Sequence, residues 1–398
     1  MTPERFPHEV DQRMVRAQEW DDLVEQVRQL DGFEDFLRPP PLETVLPVGK
    51  DGPVVVINVS RLRCDAIAVT AAGVEVIELP GLTRESVASN VEAYLRALDS
   101  QAPAELEAGL RGCLEWMWES FAREILERLG FIGPPGEPAA WPRIWWCPTG
   151  ALTLLPIHAA GLHHIEGASV LDRVISSYTP LLRTLLEARG DGRDYGRTEA
   201  NPGRLLFVGV AKVAGQPFLP NVEREGQALR EVFPDDRHEF LIGQRATRSV
   251  VFKQLVRHAW AHFSCHGDQN LDNPSLGGLH LHDGLATVTD FSAQQYQGEF
   301  AYLSGCKTAV GGVRLPDEVI TLAAALHYTG YRHVIATLWS VRDRQAAQVA
   351  KDVYAELVHD GRLDAGRAAA ALHHAVRRQR ARFRRSPSMW TPFAHTGP

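Results

Sequence analysis

The chain has 398 residues and a formal charge of −7 at pH 7, with 44 % hydrophobic, 23 % charged and 8 % aromatic residues. At about 100–200 residues per domain this allows two or three domains, or one large two-lobed one, with a core that needs no covalent staples. A small disulfide scaffold is thereby excluded, and the mild acidity argues against nucleic acid as the main partner.

The five cysteines, Cys64, Cys113, Cys147, Cys265 and Cys306, are few, scattered and odd in number. That suits a reducing compartment better than a disulfide framework in an exported protein. The start, MTPERFPHEVDQRM, has no apolar export segment, and no apolar run reaches the roughly 18–20 residues that cross a bilayer. The expectation is a cytoplasmic protein with no membrane anchor.

Residues 1–48 read as an N-terminal helical segment. Met14, Leu23, Val27 and Leu30 recur at near-helical spacing among charges over about 10–37, and Pro39, Pro40 and Pro41 close the run. β-Branched residues bounded by turn residues at 54–59, 66–69 and 74–79 predict a small sheet. From Glu105 to Leu129, the positions Leu106, Leu110, Leu114, Met117, Phe121, Ile125 and Leu129 form one face of a long helix, which Gly130 ends. A short buried strand follows at 144–147. The stretch RGDGRDYGRTEANPG at 189–203 has almost nothing to bury and reads as a linker or cleavable loop between two halves.

Beyond it, strands at 205–210, 261–264, 300–304 and 333–338 alternate with helices at 221–233, 247–258 and 317–329 and two C-terminal helices, one with Val349, Val353 and Leu357, the other with Leu372, Val376, Gln379 and Phe383. Strands alternating with helices imply crossover connections and a mostly parallel sheet covered on both faces. The expected division is 1–48, 49–202 and 203–398.

In such a sheet, functional residues collect beyond the carboxyl ends of the strands. Two strands run out into polar residues there. Ala261, His262, Phe263 and Ser264 lead into Cys265, His266, Gly267 and Asp268, while Phe300, Ala301, Tyr302 and Leu303 lead into Ser304, Gly305, Cys306, Lys307 and Thr308. A cysteine is a good nucleophile as its thiolate, and a nearby histidine both stabilises that form and protonates the leaving amine. The Gly267 and Cys306 amides are the candidate oxyanion donors. A free cysteine is more often a small buried hydrophobe. Cys306 departs from that pattern by sitting among polar and glycine residues, and the other four cysteines keep it.

These two segments resemble the catalytic motifs of the CHAT peptidases, caspase-like cysteine proteases often found behind tetratricopeptide repeats. Further motifs are similar to the family's in order: Gly52 to Leu79, Trp146 to Gly150 with Leu154 to Pro156, Leu219 to Glu225, Gly243 to Thr247, Asn273 to Leu276, Leu338 to Asp343, and Trp390 to Phe393. The resemblance covers roughly 50–398. It implies an α/β fold with a caspase-like, mostly parallel sheet flanked by helices, the catalytic half 203–398 being preceded by a related, non-catalytic half at 49–202. It also implies a cysteine endopeptidase with the pair His266 and Cys306 and no metal or organic cofactor, acting on a protein substrate in defence, signalling or cell death. A regulatory protein partner or N-terminal repeat module is expected, with switching by partner binding to the N-terminal helices or by cutting of the 189–203 loop. Ser304-Gly305-Cys306 departs from the family's commoner Ser-Ala-Cys by a small-for-small change, and no repeats precede the domain in this sequence.

By the same resemblance, Ser304, two residues before the cysteine, lines the pocket for the side chain preceding the scissile bond. Asp343 and Asp268 are candidates to add negative charge there, although Asp343 equally suits a cap on the helix beginning near Arg344. Three other readings compete. His262, Cys265 and His266 lie close together, and His280 and His282 alternate, but strand geometry turns Cys265 away from the two histidines and no carboxylate is spaced for zinc. Six arginines within 377–385 read as a solvated helix face or a docking surface for an acidic partner. The remaining alternative is a catalytically silent scaffold or regulatory module.

Overall fold

The computed structural model describes residues 5–34, 36–136, 141–190, 203–270, 272–304 and 321–398. The chain divides into two compact units, residues 1–47 and 48–398. In the first, a helix runs from Arg5 to Arg28 and a single turn from Leu42 to Val45. The helix stops well short of the prolines, and the Arg28 guanidinium donates to the Phe36 carbonyl at 2.9 Å. Of the expected apolar stripe, Met14, Leu23 and Leu30 are exposed.

The second unit contains sixteen strands among its described residues. In chain order they are β1 (Val54–Asn58), β2 (Asp65–Thr70), β3 (Gly73–Glu78), β4 (Arg143–Pro148), β5 (Ile175–Tyr178), β6 (Leu205–Gly209), β7 (His238–Ile242) and β8 (Trp260–Ser264). There follow β9 (Gly267–Asp268), β10 (Gly278–Leu281), β11 (Gly284–Thr287), β12 (Phe300–Leu303), β13 (His333–Thr337), β14 (Val358–His359), β15 (Arg362–Leu363) and β16 (Phe393–Thr396). Eleven of them form one sheet in the order β3-β2-β1-β4-β5-β16-β13-β12-β8-β6-β7. Pairing is parallel except for β3-β2-β1 at one edge and the β16-β13 pair inside. Strands from 49–202 and 203–398 thus share one continuous sheet, joined through the C-terminal strand β16.

Alternation along the strands feeds opposite faces. Leu205, Phe207, Trp260, Phe300 and Tyr302 pack under the helices Val222–Val232, Asp343–Leu357 and Ala368–Arg382. Leu206, Val208, Ala261, Phe263, Ala301 and Leu303 pack under Arg248–Leu255, Val288–Ser292 and Leu322–Tyr328. The long helix expected at 105–129 is present as Pro103–Met117, a π-turn at Trp118–Ala122 and Arg123–Arg128, with Leu110, Leu114, Met117, Phe121 and Ile125 buried along its stripe. A helix at Arg84–Asp99, not foreseen, starts in a capping box in which the Thr83 and Ser86 side chains each accept from the other's backbone N–H. The core of the 189–203 loop, residues 191–202, lies outside the described residues.

The arginine-rich stretch meets the solvated-face expectation in part: Arg378, Arg382, Arg384 and Arg385 are exposed, while Arg377 and Arg380 are partly buried. Arg380 pairs with the Asp172 carboxylate, Arg378 lies 2.8 Å from Glu356, and Arg377 stacks 4.6 Å from the Trp141 ring centre. These three arginines brace the helix against its neighbours. Among the described residues, no helix is long and apolar enough to cross a membrane.

Candidate active site

β8 and β12 are adjacent and parallel, with Trp260 opposite Phe300 and Phe263 opposite Leu303. Their carboxyl ends therefore carry His266 and Ser304 at one edge of the sheet, and the Ser304 N–H donates to the Phe263 carbonyl at 2.8 Å. The chain between them folds aside as the small antiparallel sheet β9-β10-β11 and the short helix Val288–Ser292. Gly305, Cys306, Lys307 and Thr308 lie outside the described residues.

The His266 ring is buried, and its Nε2 lies 2.7 Å from the Pro217 carbonyl oxygen. A carbonyl only accepts, so Nε2 carries the hydrogen and Nδ1 is the nitrogen left to exchange a proton. Sequence reasoning missed Pro217, since a backbone acceptor 49 residues away leaves no side-chain signal.

Gly267 pairs with Leu279 in the antiparallel β9-β10 ladder, and the His280 N–H donates to the His266 carbonyl at 2.8 Å. That bond makes Gly267–Leu279 a non-hydrogen-bonded pair, so the Gly267 N–H points away from β10. Asp268 is exposed, accepts from the Gln269 N–H at 2.8 Å and lies 3.9 Å from His280.

Behind the two strand ends lies a polar cluster that sequence reasoning did not assign. Glu225, 5 % exposed on the helix Val222–Val232, accepts from the Ser304 hydroxyl at 2.8 Å through Oε1 and from the Ser264 hydroxyl through Oε2. The fully buried His262 ring lies with Nε2 3.5 Å from Glu225 Oε2 and Nδ1 3.1 Å from the Tyr354 hydroxyl, and stacks 5.0 Å from the Tyr302 ring. His262 thus serves this cluster. Among the described residues, no group of three or more His, Cys, Asp or Glu side chains is placed to hold a metal ion.

Asp343 does not cap its own helix. The N-cap position is Arg342, and the Asp343 Oδ2 instead accepts from the Asn221 backbone N–H at 2.8 Å and side-chain amide at 2.6 Å. This link joins the segment after β6 to the segment after β13, the strands that flank the β8-β12 pair. The two helices that begin there border a cleft of about 380 Å³, with Glu225, His262 and Tyr354 on its walls beside Arg224, Arg344 and Lys351.

Cys64, Cys113, Cys147 and Cys265 are buried. Burial pushes the Cys113 and Cys147 thiols up to about 12, which leaves them protonated and unreactive near neutral pH.

The family model for the CHAT domain matches residues 111–398, well over half of the chain. Among curated proteins no sequence match is found. Among solved structures, separase in the Saccharomyces cerevisiae separase–securin complex is similar with a TM-score of 0.60 at 9 % identity. The match covers 89 % of this chain and 31 % of that one, so this chain spans about a third of the separase chain. The Arg-specific cysteine proteinase gingipain R matches with a TM-score of 0.45 at 11 % identity, over 71 % of this chain and 66 % of that one. The separase likeness establishes the caspase-like α/β fold, and with the family match over 111–398 the chain belongs to the CHAT domain family.

Proposed function

We propose that the protein is a cysteine endopeptidase in which Cys306 is the nucleophile and His266 the general acid and base. The observation that carries this reading is the His266 ring, held through Nε2 by the Pro217 carbonyl at the end of the strand adjacent to the one leading into Ser304-Gly305-Cys306. The Cys306 thiolate attacks the peptide carbonyl carbon, and the oxyanion that forms is held by the Gly267 and Cys306 N–H groups. As the C–N bond breaks, His266 gives its Nδ1 proton to the leaving amine. Water then attacks the thioester and passes a proton to His266, which releases the acid product and restores the thiolate. No metal or cofactor enters these steps.

Ser304 and Asp268 follow the strand ends where the residue before the scissile bond would lie, and Asp343, bonded to Asn221, is the third candidate for that pocket. The separase structure is of a complex with securin, which supports a regulatory protein partner for this chain beside its protein substrate. Limited, switched proteolysis in the cytoplasm, in defence, signalling or cell death, is the role such a site suits.

Treatment with a peptidyl chloromethyl ketone, with each cysteine followed by mass spectrometry, tests the nucleophile. The expected result is an adduct at Cys306 well before any at the four buried thiols. Equal, slow labelling of all five would make the protein a scaffold.

A further inference from the structure

One carboxylate holds the two residues that stand two positions before the proposed catalytic pair. Ser264 precedes His266 by two and Ser304 precedes Cys306 by two, and the hydroxyls of both serines donate to Glu225, one to each oxygen. Ser264 ends β8 and Ser304 follows β12, so Glu225 bridges the carboxyl ends of the two strands that carry the pair.

The surroundings are built to hold that carboxylate still. Its helix starts at the Asn221–Asp343 link, one turn before Glu225. The next residue, Gly226, lies so close to the Phe207 and Phe240 rings that a Cβ there would meet them at 3.2 and 3.3 Å. That closeness brings the helix down onto the sheet. A buried carboxylate loses its hydration, and an apolar side chain of similar volume would generally pack there at less cost. The acid is thus poorly explained by stability alone, and both of its oxygens are engaged at the strand ends.

We propose that Glu225 is a positioning residue: by bridging Ser264 and Ser304 it sets the spacing of the β8 and β12 ends and so keeps the His266 imidazole at working distance from the Cys306 thiol. This rests on the assignment of His266 and Cys306 made above. Glu225 acts through the two serines and touches no reacting atom. An alternative in which its charge receives a basic substrate side chain makes a different forecast for the amide variant.

The test is site-resolved alkylation of Cys306 by iodoacetamide in the full chain, followed across a pH range that includes the ordinary thiol value of about 8.5. If His266 stabilises the thiolate, the wild-type Cys306 is expected to titrate below that value. The double variant Glu225→Met with Ser264→Ala removes the bridge; it also leaves the Ser304 hydroxyl and the buried His262 Nε2 without their carboxylate, so its melting temperature is read alongside. It should raise the Cys306 titration by about one unit, a roughly tenfold loss of thiolate at neutral pH.

Glu225→Gln keeps the bridge, since its amide accepts from one hydroxyl and donates to the other, and should titrate as the wild type does. A double variant that keeps the wild-type melting temperature and thiol titration overturns the proposal. So does a Gln variant that shifts as far as the Met variant, because charge and not bridging would then be the cause. If the double variant melts early, Ser264→Ala alone decides: an upward shift supports the bridge and none overturns it. A wild-type Cys306 that titrates near 8.5 would instead remove the His266–Cys306 assignment itself.

Discussion

His266 owes its orientation to a backbone carbonyl, where many catalytic histidines use a carboxylate. The Pro217 oxygen at 2.7 Å fixes which nitrogen carries the hydrogen without placing a negative charge beside the ring. Replacing His266 by alanine should lower kcat by about 10²–10⁴-fold, the usual contribution of a positioned proton-transfer group. The measurement is cleavage of a protein substrate by the wild type and the variant at equal folded concentration. The strand ends before His266-Gly267 and Ser304 were legible in the sequence because polar and glycine residues break off two apolar strands. Glu225 was not, since one turn into an amphipathic helix it reads as a surface charge, and only the approach of that helix to β8 and β12 buries it. Asp343 reads in the sequence as a pocket acid or a helix cap; its partner is Asn221, at the start of another helix, and no local spacing encodes that pairing.

At the scale of elements, the packing of helix Val222–Val232 on β6 sets how deeply Glu225 reaches. Gly209 closes β6, and a Cβ there would lie 2.7 Å from the Phe207 ring and 2.9 Å from Val222. Gly209→Ala should therefore push the helix outward and destabilise the fold by about 1–3 kcal/mol, the usual cost of overpacking. The check is a lower melting temperature accompanied by a lower kcat. Elements with a strong period were legible from sequence: the strands at 54–59, 205–210 and 333–338, and the stripe from Leu106 to Ile125. The four-residue strands β5 and β16 were not. β16 reads Phe393, Ala394, His395 and Thr396, all buried, with no alternation to betray it.

For the whole molecule, β16 lies between β5 and β13 and closes one sheet across both halves. One of its two polar residues is matched inside the core: His395 Nδ1 lies 2.8 Å from the Ser177 hydroxyl and Nε2 lies 3.1 Å from His333. Burial holds His333 and His395 well below the ordinary imidazole value and brings His158 down to about 4. The unfolded chain takes up these protons near pH 6.5, so the stability they represent is full above that pH and is lost as pH falls toward the folded values. His158 alone would contribute a loss of about 3 kcal/mol across that window. Melting temperatures should hold steady above pH 6.5 and fall steeply between about 6.5 and 4. A flat profile there would mean that these rings are not buried neutral. The sequence reads as a division into halves 49–202 and 203–398, whereas residues 48–398 form one compact unit. Its fusion into one sheet depends on pairing between β5 and β16, residues more than two hundred positions apart.

The central claim is that this CHAT domain cuts protein chains with Cys306. The most direct measurement compares the new protein N-termini that arise when a proteome is incubated with the wild type or with Cys306→Ala. A limited set of new termini is expected with the wild type and none with the variant. The same termini appearing with Cys306→Ala would contradict the claim.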